Sequence, residues 1–137
     1  MGQQQLLLII LGVIIVGIAV AVGITMFQDN AVDQNRSAVI ADLTTLSAKA
    51  QQYYAKPTTL GGGGSSFVGL SADAAGLAIL ASVSFTSNAN GAYSIKTAGT
   101  ATTLVLEGVG KTALSDATFP TYDMTVTSQT QVPTKIN

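Results

Sequence analysis

The chain has 137 residues, enough for one modest domain. Apolar residues make up 47% of it but charged residues only 9%, well below the roughly 25% of an ordinary soluble domain. A net charge of −1 with no basic run argues against a nucleic-acid partner, and the absence of histidine and cysteine removes thiol chemistry, disulfides, haem ligation, nearly every zinc site and the commonest general base.

The few charges are unevenly placed, and none occurs before Asp29. Leu6 to Phe27 is a charge-free run of 22 residues, about 33 Å as a helix and long enough to span a bilayer. It is too long for the apolar core of a secretory signal, usually about 7–15 residues. Met1-Gly2-Gln3-Gln4-Gln5 carries no Lys or Arg to orient an export signal, which is the pattern expected if a basic leader has been removed before Met1. Beyond Phe27, Val32, Val39, Leu43, Leu46, Ala50 and Tyr53 recur at helical spacing as a single apolar stripe. Asp29, Asp33, Arg36, Asp42 and Lys49 lie largely off it, and no proline intervenes until Pro57. One helix is therefore predicted from about Gly2 to Ala55, hydrophobic all round over residues 1–28 and amphipathic beyond. Its length is roughly 80 Å.

From residue 58 the composition turns to Gly, Ser, Thr and Ala. Leu60 to Ser66 reads as a flexible glycine loop, and Ser71 to Leu80 as a short helix capped by Ser71. Strand patterns follow. Ala81–Thr86 alternates around Val83 and Phe85, Asn90-Gly91 marks a hairpin turn, and Tyr93 and Ile95 alternate in the next run. Ala98-Gly99 is a second turn before Thr102–Val109, and Tyr122–Thr127 alternates again. Together with the amphipathic half-helix these segments predict an α+β head over residues 29–137: about four short antiparallel strands packed on the Leu43–Leu46–Tyr53 stripe.

A charge-free N-terminal segment continuing into an amphipathic helix, then a glycine-rich loop and a small antiparallel sheet, resembles type IV pilins and the related type II secretion pseudopilins. The register is similar too. Met1 stands at the first position of the mature family members, Gln5 where they carry a glutamate, and Leu6-Leu7-Leu8-Ile9-Ile10 at their aliphatic run. Gly23 lies near the place of the family's helix-breaking proline. The resemblance in architecture covers the whole chain, and that in motif about residues 1–25. It implies processing and methylation at Met1, filament-core packing through Gln5, Leu6, Leu7, Ile10, Val13 and Ile14, and a subunit that waits in an inner membrane before polymerising with its own copies into an extracellular filament. The implied partners are a leader peptidase, a membrane platform and an assembly ATPase. No cofactor or catalytic residue is implied. A periplasmic pseudopilus subunit, and a single-pass anchored binding domain that never polymerises, are the alternatives. Gly17 and Gly23 bracket a stretch rich in β-branched residues, where the helix is expected to loosen inside a filament.

Other signals are weaker. Gly108-Val109-Gly110-Lys111-Thr112 resembles the end of a phosphate loop, but Val105 stands where the leading glycine is needed and no helix follows, so a strand-ending turn is the better reading. Asp73, Asp116 and Asp123 lack calcium-loop spacing and read as caps or solvated carboxylates. Asn35-Arg36-Ser37 is a glycosylation sequon placed on a helix. No aromatic precedes Phe27, so a core built from this helix would hold no stacked rings, and Tyr53 and Phe85 are assigned to the head. Gly12, Gly17 and Gly23 do not have the spacing of a close-contact helix motif.

Overall fold

The computed structural model describes residues 2–82 and 85–137. A 53-residue helix, α1 (Gln3–Ala55), runs unbroken from the apolar segment into the head. A single 3-10 turn at Thr58–Leu60 and a short helix, α2 (Ala74–Leu80), precede four strands: β1 (Gly91–Thr97), β2 (Thr103–Gly110), β3 (Thr121–Thr127) and β4 (Gln131–Lys135). The strands form an antiparallel meander in the order β1-β2-β3-β4. The chain is α+β, with one helix laid across one face of one open sheet, as its sequence predicts.

The stripe on α1 does the packing. Val32, Val39, Leu43, Leu46 and Ala50 are buried, and Tyr53 is half-buried at the end of the row. Val39, Leu43, Leu46, Ala50 and Tyr53 meet Tyr93, Ile95, Leu104, Leu106, Met124 and Val126 from alternate positions of β1, β2 and β3, while Phe67, Leu70, Leu77 and Leu80 close the core from the loop and α2. Glycines in the strands let the helix sit close. A methyl group at Gly108 would lie 2.9 Å from Val39 Cγ1 and 3.1 Å from Leu43, and one at Gly110 would run into the Asn35 side chain and Pro120. This accounts for the Gly108-Val109-Gly110-Lys111 tract. It is the inner-face clearance of β2, with Lys111 beyond the strand end.

Three expectations are corrected, and one strand is found that the sequence did not reveal. Leu60–Ser66 is an ordered cap: the amides of Gly63, Ser65 and Gly64 donate to the carbonyls of Tyr53 (2.8 Å), Tyr54 (2.8 Å) and Lys56 (2.9 Å). The carbonyls at a helix end need donors, and a glycine run can fold back to supply them. Second, α2 starts at Ala74 and is capped by Asp73, which accepts from the Gly76 amide at 2.9 Å; Ser71 instead donates its hydroxyl to that carboxylate. Third, the described part of Ala81–Thr86 is no strand. The Phe85 amide turns back to the Ser82 carbonyl, and among the described residues pairing before the turn is limited to the bridge between Ser87 and Ala92. Val83 lies outside the described residues. The fourth strand is β4, whose Pro133 masks it in sequence but is tolerated because β4 is an edge.

Candidate assembly surface and the head that carries it

Residues 3–28 of α1 project beyond the head, and none of them is buried. Leu6 is 58% exposed, Leu7 66%, Ile10 54%, Val13 67% and Ile14 53%. Gln5 is exposed one residue before this run, and Met1 lies outside the described residues. By length and composition the segment can cross a membrane. A contiguous apolar surface of this size, carried on a backbone that satisfies its own hydrogen bonds, calls for an apolar partner. Added methyl groups at Gly12, Gly17 and Gly23 would meet nothing within 4 Å, so these glycines serve no packing purpose within one chain. Through Gly17–Gly23 the helix of the single chain is continuous.

The head is tied to α1 by polar contacts on both flanks of the buried stripe. On one flank, Asp42 Oδ2 accepts from the Tyr93 hydroxyl at 2.6 Å, from Asn88 Nδ2 at 2.9 Å and from Asn90 Nδ2 at 3.0 Å. Asn35, two turns earlier, donates to the Asn90 carbonyl at 2.7 Å. Asn88 in turn accepts from the amides of Asn90 and Gly91, so the whole turn before β1 is clamped to the helix. Burial alone would raise the Asp42 carboxyl, but the bonds from Tyr93, Asn90 and Asn88 outweigh it and hold it below its ordinary value. Burial, and then the bond to Asp42 with its charge, push the Tyr93 phenol well above its own. On the other flank Gln51 donates to the Thr127 carbonyl and accepts from Gln131. Sequence reading placed Asp42 among charges off the stripe and missed the clamp. Its signal is the spacing: Asn35 and Asp42 are seven apart, on one border of the apolar row.

The three acidic residues considered for a cation are kept apart by separate tasks. Asp73 caps α2, Asp116 accepts from the Thr118 amide and hydroxyl, and Asp123 takes the Lys96 ammonium at 2.6 Å. Among the described residues no group of three or more His, Cys, Asp or Glu is placed to hold a metal. Asn35 has its amide committed to the Asn90 carbonyl, which leaves it poorly placed as a glycan acceptor. On the outer face of the sheet Lys96 bridges Asp123 and Glu107 (3.3 Å), which stand opposite each other in the β2–β3 register. The bond to Asp123, and then that to Glu107, raise the Lys96 amine above its ordinary value. Tyr53 and Phe85 pack half-buried against the core; Phe85 lies 5.8 Å from the Tyr93 ring, and Tyr54 lies 4.8 Å from Phe67.

Comparison of the chain with protein-family models, with characterised proteins and with solved structures finds no match.

Proposed function

We propose that this protein is a structural subunit of a pilin-like helical filament, held in a membrane by the apolar half of α1 before assembly and displayed outside the cell afterwards. The observation that carries the reading is the free half-helix. Some twenty consecutive side chains of α1 are exposed and nearly all apolar, on a helix whose other half is locked into a folded head. Such a rod has two acceptable surroundings, lipid or a bundle of like helices. Moving it from one to the other exchanges lipid contacts for helix contacts and leaves the head facing water. In this reading Gln5, Leu6, Leu7, Ile10, Val13 and Ile14 form core contacts, Met1 is the methylated N-terminal residue, and a leader peptidase and an assembly ATPase act on the chain from outside it.

Electron microscopy of fibres sheared from cells, with mass spectrometry of the subunits they contain, tests the proposal. Long surface fibres containing this chain with a methylated Met1 support it. Fibres confined to the envelope indicate a pseudopilus, and a monomeric chain confined to the membrane indicates a plain anchor.

A further inference from the structure

The charges on α1 are arranged with a polarity that one chain by itself does not use. At the base of the head, Asp29 and Asp33 border a groove completed by Val32, Arg36, Leu114 and Ser115. Arg36 binds Asp33 at 3.2 Å, while Asp29 enters none of the ion pairs among the described residues. At the top, Lys49 and Lys56 border a second groove with Gln52, Tyr53, Gly61 and the exposed Ile79. Neither lysine has an ion-pair partner among the described residues. At 100° per residue the two charged pairs lie about 170° apart around the helix, on opposite borders of its outward face, and roughly 30–35 Å apart along it. Between them the outward face carries only small or uncharged exposed side chains: Gln34, Ser37, Ala41, Thr44, Thr45 and Ala48.

We infer that copies of this chain dock head to tail, with Asp29 and Asp33 of one copy against Lys49 and Lys56 of a neighbour displaced by roughly 30–35 Å along the helix axis. The inference rests on the filament reading and specifies one of its contacts. The opposite signs are complementary, and a shift that pairs Asp29 with Lys49 leaves Asp33 within side-chain reach of Lys56. Because the two patches differ and lie on opposite flanks, the contact is heterologous. It therefore propagates into an open helix and does not close a two-fold dimer.

The full-length chain with Asp29→Cys and Lys49→Cys tests the pairing, since the protein has no cysteine of its own. Oxidised filaments of the double variant should give a covalent ladder on a denaturing gel, and either single variant should give none. Reversal by Asp29→Lys with Asp33→Lys, or by Lys49→Glu with Lys56→Glu, should lower filament yield about tenfold, and the four changes together should restore it. Filaments that form without a ladder and ignore the reversals overturn the pairing and leave the filament reading intact. Failure of the unaltered chain to form filaments overturns that reading and the pairing with it. If a reversed chain loses its head fold by circular dichroism, the cysteine ladder decides.

Discussion

At the scale of single residues the head depends on side chains that no motif announces. Asp42 receives three donors, one of them the hydroxyl of Tyr93, which is only 3% exposed. Removing the acceptor strands those donors, so Asp42→Ala should destabilise the head by about 2–3 kcal/mol, measured by urea unfolding. The sign of the pH effect follows from the depressed carboxyl. Its contribution is complete above the ordinary value of 3.8 and is lost as pH falls through the lower folded value. Wild-type stability should therefore fall more steeply than that of Asp42→Ala below about pH 4. Gly108 is the second such residue. Its Cα faces Val39 and Leu43 at a distance where a side chain does not fit, so Gly108→Val should cost about 1–3 kcal/mol in the same assay, with no effect on any nucleotide binding.

At the scale of elements, α1 combines two helices of different physical character in one continuous rod. Its head half is stabilised by tertiary packing, whereas its free half relies on propensity and on whatever surrounds it. Gly17-Ile18-Ala19-Val20-Ala21-Val22-Gly23 is its weakest stretch, since each glycine costs about 1 kcal/mol relative to alanine and three β-branched residues add smaller penalties. In lipid the backbone has to keep its own bonds. In the proposed filament this stretch would be free to open locally and lengthen, so Gly17→Ala with Gly23→Ala should raise the force at which such fibres extend, read by single-fibre pulling. Unchanged extension would place the compliance elsewhere. The sheet is protected in a different way. Its free edge, β4, carries Pro133 and Lys135, which discourage strand addition from another chain.

At the scale of the whole molecule the head and the free half-helix are structurally separate: among the described residues, none of the core precedes Val32. A chain beginning at Asp29 should fold, stay monomeric by light scattering, and unfold cooperatively on heating. Fibres from this shortened chain, or a chain without cooperative unfolding, would show that assembly and folding are not divided in this way.

What the sequence determined by itself was whatever depends on local order along the chain. The 22-residue charge-free run, the period of Val39, Leu43, Leu46 and Ala50, and the alternation of Leu104 with Leu106 and of Met124 with Val126 each report a face that must be buried, and they led to the long helix, the sheet and the α+β class. Legible in the same way was the free surface itself, because nothing in a chain of this length can cover so much apolar helix. The tertiary structure decided what depends on neighbours distant in sequence. Leu60–Ser66 has the composition of a flexible linker and becomes a cap only because the end of α1 presents carbonyls beside it. Gln131–Lys135 pairs as a strand despite Pro133 because β3 offers one edge and solvent the other. Asp42 and Asn35 look like solvated positions until the 88–91 turn is folded onto them, and the glycines of β2 look like a phosphate loop until α1 lies across them. Periodicity records whether a side chain is buried, whereas the identity of its partner is set only when separate elements meet.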